Sequence, residues 1–569
     1  MCGIAGIIGN GDPQLLQQML QAQAHRGPDN CSTWQHQQVA LGHNRLSIID
    51  LSDAGNQPMH SHSGRYSIVF NGEVYNYREL RTQYLAAETM HSESDTEVVL
   101  ALYEKMGANM LPLLNGMFAM AIWDQQTQTL FAARDRFGVK PFYYSQQQGQ
   151  WLFASEIKSL WAAGVPKRPD ENVWAGFFAH GLYGQPHETF WQQIAALPAG
   201  HCLRLNASDL TPHVQRWYVF EEAVQQQPDV TEATWMEAYH ALLQDAVQLR
   251  FRADVPVGFN LSGGLDSSTL LAAVHEAFPA NQTIRAYSFY CADERYDELP
   301  WVQQLIAHTG KPLEAVLLSV KDVPALAAQM TMQQDEPYGG IPTIAYGQVF
   351  KTARSMRSIV LLDGQGMDEA WGGYDYYYKA GDGIVQGTQQ SPVLPHTLVP
   401  AFAAQSQAGQ YPAPFDNRLQ NLQYRDIFYT KIPRALRFND RASMLHSTEL
   451  REPFLDYRLV EFAFAMPADR KYFNEQTKYG LRQYARQYIG SQLALAPKRP
   501  LQTPQREWLR HELRDWADDL IQWLSGPGNP GWFDKQAVLT TWQQYLQGQM
   551  DNSFFVWQWL NTAMLLQAP

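Results

Sequence analysis

The chain is predicted to fold as two domains of different class. An α+β domain with layered sheets occupies residues 2–210, and an α/β domain with a parallel sheet and helical additions occupies residues 230–569. Three observations predict this. At 569 residues the chain exceeds what one hydrophobic core organises. Between Gly116 and Glu156 short apolar segments follow one another too closely to leave room for helices. Beyond Val255, apolar runs alternate with stretches of helical periodicity, the pattern of a parallel sheet with crossover helices.

In order, the first residues, Met1-Cys-Gly-Ile-Ala-Gly-Ile-Ile-Gly9, read as a buried strand interrupted by glycines. Strands are expected over residues 117–123, 130–133, 141–144 and 151–154. A polar segment through Gln225-Gln-Gln-Pro228 reads as a linker. A helical pattern over 234–251 precedes an apolar run at 255–261, and a second helix follows at 267–278, with Leu270, Leu271, Val274, Ala277 and Phe278 on one face. Then come a strand at 283–289, a helix at 299–308 closed by Gly310, a strand at 313–318, two helical patterns and a strand at 358–362. Near the end, Leu509, Leu513, Trp516, Leu520 and Leu524 form a helix face that packs on the core. Gly526-Pro-Gly-Asn-Pro-Gly531 matches the dinucleotide fingerprint by letter only: with two prolines and no preceding strand it is a loop.

Composition narrows the function. With 43 Lys+Arg against 56 Asp+Glu the formal charge is -13, which repels nucleic acid and anionic lipid and favours small-molecule substrates. The four cysteines, at positions 2, 31, 202 and 291, lack metal-site or disulfide spacing and point to a reducing cytoplasm. No signal peptide or run of membrane-spanning length is evident.

Chemistry concentrates first at Gly258-Phe-Asn-Leu-Ser-Gly-Gly-Leu-Asp-Ser-Ser268, a strand, tight loop and helix in succession. Ser262, Gly263 and Gly264 let backbone N–H groups converge on an anion, and the helix adds the positive end of its dipole. The loop lacks the lysine of the Walker loop and carries Asp266 instead, an acid that belongs beside a polyphosphate only if Mg²⁺ lies between them. Ser262-Gly-Gly-Leu-Asp-Ser267 resembles the PP-loop of ATP pyrophosphatases, of the adenine nucleotide alpha hydrolase-like fold, which adenylate a substrate and release pyrophosphate. That resemblance implies ATP contacts from Leu261 to Gly264, Asp266, Ser267, Phe289, Asp363 and Gly364.

The second concentration begins at Cys2. Removal of Met1 would leave a thiol and an α-amine on one residue, the amine with a pKa of about 7.7–8.0 and the thiol about 8.5, so one can deprotonate the other. Four motifs follow: His25-Arg-Gly-Pro-Asp29, Gly42-His-Asn-Arg-Leu-Ser-Ile-Ile-Asp50, Asn71-Gly-Glu-Val-Tyr-Asn76 and Ser94-Asp-Thr-Glu97. Together they resemble the glutaminase domain of class II, N-terminal-nucleophile (Ntn) glutamine amidotransferases, which implies an αββα sandwich of the Ntn-hydrolase type. By that resemblance Cys2 attacks the glutamine side-chain amide and Asn71 with the Gly72 N–H forms the oxyanion hole. Arg45 then binds the α-carboxylate, and Glu73 and Asp95 face the α-ammonium. The motifs around Arg134-Asp135 and Glu156-Ile-Lys158 resemble the same family and read as scaffold.

A third set completes the picture. Leu361-Leu-Asp-Gly-Gln-Gly-Met-Asp-Glu369, Gly372-Gly-Tyr374, Arg441-Ala-Ser-Met444, Glu449-Leu-Arg-Glu-Pro-Phe-Leu-Asp456 and Thr477-Lys-Tyr-Gly-Leu-Arg482 resemble bacterial glutamine-hydrolysing asparagine synthetases. The resemblance implies Asp368 as the partner of Asp266 on Mg²⁺, and Lys478 as the cation that neutralises charge at the α-phosphate and in the amide-forming step. It implies a ligase that adenylates aspartate with ATP and displaces AMP with ammonia from glutamine, and homodimers are common in the family. Ammonia must pass between two sites without meeting water, so an apolar domain interface is expected.

One departure concerns the acceptor. Gln365 stands where the family carries Glu, and an amide cannot take a proton. Either another acid, for which Glu336 in Gln334-Asp-Glu-Pro337 is the candidate, has taken over, or the acceptor is a carboxylate other than aspartate, such as a sugar acid or a metabolite. A catalytically silent paralogue is disfavoured by Cys2, Asp266 and Asp368, which structure alone would not demand.

Overall fold

The computed structural model describes residues 2–228, 231, 234–279, 281, 283–379, 391–495, 502–550 and 552–568. Its N-terminal part holds two six-stranded antiparallel sheets. The first runs Ala195–Ala196, Tyr143–Gln147, Gln150–Ala154, Gly3–Ile8, Val39–Arg45, Asn30–His36. The second runs His213–Arg216, His201–Asn206, Thr129–Arg134, Gly116–Asp124, Tyr66–Val74, Met59–His60. Ile4, Ile8 and Leu41 from one sheet meet Val69, Ala121 and Trp123 from the other in a shared core. Helices Pro13–Ala22 and Ile157–Ala162 cover the first sheet, and Asp95–Met106 covers the second. This is the αββα sandwich, and because both faces of Gly3–Ile8 are covered, that strand reads as one apolar run. Its glycine at 6 answers a close approach: a Cβ there would stand 2.2 Å from the Phe153 ring.

The C-terminal part is built on a five-stranded parallel sheet in the order Leu313–Leu317, Ala286–Tyr290, Val257–Asn260, Val360–Leu362, Glu449–Arg451. The chain enters at the middle strand, Val257–Asn260, builds outward to one edge, then returns to the other side at Val360–Leu362. Reversal of direction leaves a crevice at the strand C-termini where ligands bind in such sheets. The loops after Asn260 and Leu362 both open there.

Three expectations need correction. The supposed linker is partly structured: Phe220–Gln225 is a helix, and the Phe220 ring lies 4.9 Å edge-on to Phe464 of the second domain. Residues 229 and 230, where the second domain is expected to start, lie outside the described residues. The sheet of the first domain also continues past residue 210, because His213–Arg216 pairs with His201–Asn206. The expected helix face at 509–524 is two helices, Gln505–Arg510 and Arg514–Ser525, although Leu509, Leu513, Leu520 and Leu524 are all buried as expected.

The domain interface is apolar in part, as expected, since two hydrophobic clusters run through residues of both domains, but it also carries buried ion pairs. Arg26 pairs with Asp440 at 2.9 Å, Lys158 with Asp335 at 3.1 Å and Arg451 with Glu73 at 3.6 Å, each across the two domains and with side chains largely buried. Buried charges of this kind are tolerated when paired, and their directionality holds the two domains in one orientation. Among the described residues no helix is long and apolar enough to cross a membrane.

Candidate active site

Two centres are found, one in each domain. In the first, Cys2 immediately precedes the strand Gly3–Ile8: the Cys2 N–H donates to Asn71 Oδ1 at 3.0 Å, and Cys2 Sγ lies 3.9 Å from the Leu46 carbonyl. The Asn71 side chain is fully buried and its Nδ2 has no partner, so a donor is aimed into the site without an acceptor. Gly72 is required by crowding, since a Cβ would stand 2.1 Å from the Met117 carbonyl. Burial pushes the Cys2 thiol up, and Glu73 and Glu449 add to that direction.

Arg45 is held by its own loop. Its guanidinium donates to the Ser52 carbonyl at 2.6 Å, to Asn56 Oδ1 at 2.9 Å and to the Asp50 carbonyl. Gly55 makes room for it, as a Cβ would meet Arg45 Nη2 at 2.2 Å. Asp95 accepts the Val74 N–H at 2.7 Å, and burial raises its pKa to about 6. Burial, then Glu449 and Asp95, push Glu73 well above the carboxylate range. Two adjacent buried acids with raised pKa values form a place where a bound cation would be strongly favoured.

In the second centre, one cavity of about 340 Å³ gathers every residue expected at the nucleotide: Leu261 to Gly264, Asp266, Ser267, Phe289, Asp363, Gly364, Gln365, Asp368 and Lys478. Lys478 Nζ lies 2.6 Å from Asp266 Oδ1 and 2.5 Å from Asp368 Oδ1, bridging the two acids. Burial works against the lysine charge, yet the two carboxylates outweigh it and raise the Lys478 pKa. The lysine takes left-handed backbone, φ 54°, at the start of helix Tyr479–Ile489, a strained conformation of the kind functional sites retain. The paired glycines have a matching reason: a Cβ on Gly373 would stand 1.9 Å from Asp368 Oδ1 and 2.2 Å from Lys478 Cε. Among the described residues no group of three or more His, Cys, Asp or Glu could hold a metal by itself. Two carboxylates nonetheless fit Mg²⁺, which takes its remaining ligands from phosphate and water.

Glu336 is not brought to this cavity. It is fully buried at the domain interface, accepts the Phe190 N–H at 3.1 Å, and pairs with Arg441 at 3.1 Å and Arg437 at 3.4 Å. Asp335 takes left-handed backbone, φ 58°, where helix Val323–Gln334 ends, and the residue after it is held by these two arginines. The acid beside Gln365 is Glu452, which sequence reasoning missed. Its carboxylate receives the Gln365 backbone N–H, its Oε2 has no partner, and burial followed by Asp363 pushes it well above the carboxylate range. The signal was present in Glu449-Leu-Arg-Glu452, but nothing in the sequence brings residue 452 to residue 365.

Glu369, on the cavity wall, provides a pH test. Tyr374 donates to its Oε1 at 2.7 Å, its Oε2 has no partner, and burial followed by Asp368 raises its pKa to about 7. Between 4.5, its ordinary value, and about 7 the folded state holds a proton that the unfolded state has lost, so stability falls as pH rises through that window. Glu369→Gln keeps an acceptor for Tyr374 and does not titrate. Thermal melting from pH 4.5 to 8 should show the difference between the two proteins moving in favour of the variant, by on the order of 3 kcal/mol. A difference independent of pH would place the proton elsewhere.

Comparison with known proteins matches these two centres to two family models, a glutamine amidotransferase domain over residues 1–218 and asparagine synthase over residues 238–567. The glutamine-hydrolyzing asparagine synthetase 1 of Bacillus subtilis is 28% identical, over 98% of this chain and 95% of its own. Asparagine synthetase 3 of the same organism is 29% identical over 92% of both chains. Amidase chry2 of Gibberella zeae is 26% identical over 97% of this chain and 95% of its own. With its amidotransferase half and its nucleotide-cavity half both matched over nearly their whole length, the chain belongs to the asparagine synthase family, and its N-terminal part is a glutamine amidotransferase domain.

Proposed function

We propose that this protein is a glutamine-dependent, ATP-dependent ligase that converts a carboxylate to its amide. Cys2, freed of Met1, attacks the glutamine amide carbon, with the unpartnered Asn71 Nδ2 and the Gly72 N–H receiving the oxyanion. Arg45 pairs with the glutamine α-carboxylate, and Glu73 with Asp95 takes the α-ammonium. The tetrahedral adduct collapses to a thioester with loss of ammonia, water then cleaves the thioester to glutamate and the free thiol, and the ammonia moves to the second centre. There the acceptor carboxylate attacks the α-phosphorus of ATP, expelling pyrophosphate and forming an acyl-adenylate. Ammonia then attacks the acyl carbon, AMP departs, and one proton is lost from nitrogen. Asp266 and Asp368 would hold a Mg²⁺ that offsets polyphosphate charge, while Lys478 supplies the cation at the α-phosphate.

The observation that carries this reading is the segment Glu449–Glu452, which joins the centres. Glu449 acts on the Cys2 thiol, Arg451 bonds Glu449 at 2.5 Å and reaches Glu73 at 3.6 Å, and Glu452 lies against Gln365. Four consecutive residues thus run from the thiol to the nucleotide cavity. Glu452 is the acid that stands in for the missing one at 365.

Aspartate is the acceptor implied by the resemblance and by the relatives' names. Purified protein with ATP, Mg²⁺, glutamine and an acceptor should release AMP, pyrophosphate and glutamate in equal amounts, with aspartate tested first. Pyrophosphate release that needs no acceptor carboxylate, or glutamate release without amide under any acceptor, would overturn the ligase reading.

A further inference from the structure

Beside the nucleotide cavity lies a second one of about 440 Å³, and the two share Tyr346, Gln365, Glu369 and Tyr374. Because those four residues wall both spaces, a carboxylate at the junction would reach the α-phosphate from one side and extend its body into the other. The second cavity is much larger than a four-carbon amino acid needs, since spaces of roughly 300–1,000 Å³ take drug-sized ligands. Its wall is aromatic, with Phe177 and Tyr183 from the first domain and Tyr338, Phe438 and Trp557 from the second. Aspartate would leave these rings facing water.

The wall is not purely apolar. Thr343, Asn439 and Gln365 place hydrogen-bonding groups among the rings. Two cations stand at it: Arg434, stacked over Tyr183 at 5.6 Å, and Lys431, over Tyr374 at 5.0 Å. Glu369 is the acid on this wall, so the electrostatic balance favours an anion over a zwitterion. Flat rings interleaved with hydrogen-bonding groups suit a ligand with an apolar C–H face and a polar edge. A purely hydrocarbon acid would leave the polar groups unsatisfied.

Resting on the ligase reading above, we propose that the acceptor is a hexuronic acid, free or as its glycoside: a carboxylate on a hydroxylated ring whose body fills the second cavity. The uronate C6 carboxylate is adenylated at the junction with loss of pyrophosphate. Ammonia forms the new C–N bond as AMP leaves, giving the uronamide and one proton. The aromatic rings cover the C–H face of the ring, Thr343 and Asn439 meet its hydroxyls, and Arg434 draws the anion in.

The test measures acceptor-dependent pyrophosphate and AMP with the full chain, ATP, Mg²⁺ and glutamine. Acceptors are aspartate, glucuronate, galacturonate and the methyl glycosides of both uronates. A uronate or its glycoside should give kcat/KM at least tenfold above aspartate, and the product should be the primary amide. Arg434→Gln and the isosteric Thr343→Val should each raise the uronate KM several-fold while the KM for ATP stays the same. Turnover of aspartate with none of the uronates would overturn the proposal and leave the ligase reading standing. Variants that leave the uronate KM unchanged would remove the ring from this cavity. Hydrolysis of glutamine with no pyrophosphate from any of these acceptors, aspartate included, would overturn the uronate proposal and confine the ligase reading to another class of carboxylate.

Discussion

Cys2→Ala should abolish amide formation from glutamine while leaving amide formation from added ammonium unchanged. The expected loss with glutamine is at least about 10⁴-fold, the scale of removing a nucleophile that acts together with its base. Structure supports the separation of the two activities. The Cys2 side chain touches the Leu46 carbonyl and its backbone N–H touches Asn71, both in the first domain. The link to the second centre runs through Glu73, Arg451 and Glu449, none of which the substitution removes. Alanine fits the same space, so the strand Gly3–Ile8 and its pairing should persist. Parallel assays with glutamine and with ammonium at saturating ATP decide the matter. Retained glutamine use would make Cys2 a small buried hydrophobe and end the glutaminase assignment; loss of both activities would mean that the thiol also holds the second centre together.

Asp266→Asn and Asp368→Asn should each suppress acceptor-dependent pyrophosphate release by at least about a hundredfold while glutamine hydrolysis continues. Both acids face Lys478 at 2.5–2.6 Å, so each substitution leaves the lysine one charged partner instead of two. On the proposed reading Lys478 would be both a counter-charge and a competitor, since a polyphosphate-bound cation held by the two carboxylates would take the place of the ammonium there. In the asparagine variants the lysine should therefore be held less tightly, and any effect on ATP binding should be smaller than the effect on turnover. Thermal melting of each variant separates a lost site from a lost fold. Normal pyrophosphate release by either one would exclude the two-carboxylate arrangement, and equal loss of glutaminase activity would show that the acids serve the whole molecule rather than the nucleotide.

The division into two domain classes was legible because it rests on local pattern. Strand spacing in 116–156 and strand–helix alternation beyond 255 are written in the order of apolar residues, and the structure has strands at Gly116–Asp124, Thr129–Arg134, Tyr143–Gln147 and Gln150–Ala154. The phosphate loop was legible for the same reason: a strand ending at Asn260, a loop of small residues and a helix from Leu265 are contiguous. Gly72, Gly55 and Gly373 show where composition carries hidden information, since each is small because a neighbour brought to it by the fold occupies the place of its side chain.

By itself, then, the sequence determined the fold classes and singled out Cys2, the loop Ser262–Ser267 and the acids Asp266 and Asp368 as candidates, all of which depend on residue type within short contiguous motifs. Only the tertiary structure decided which distant residues meet. It took Glu336 to Arg437 and Arg441 rather than to the cavity at the strand ends. It brought Glu452 to Gln365 across 87 positions of sequence and set buried ion pairs within the domain interface. It also opened an aromatic chamber from residues of both domains beside the nucleotide. None of these could be read from periodicity, because each depends on chain direction at a turn and on packing between segments that share no local pattern.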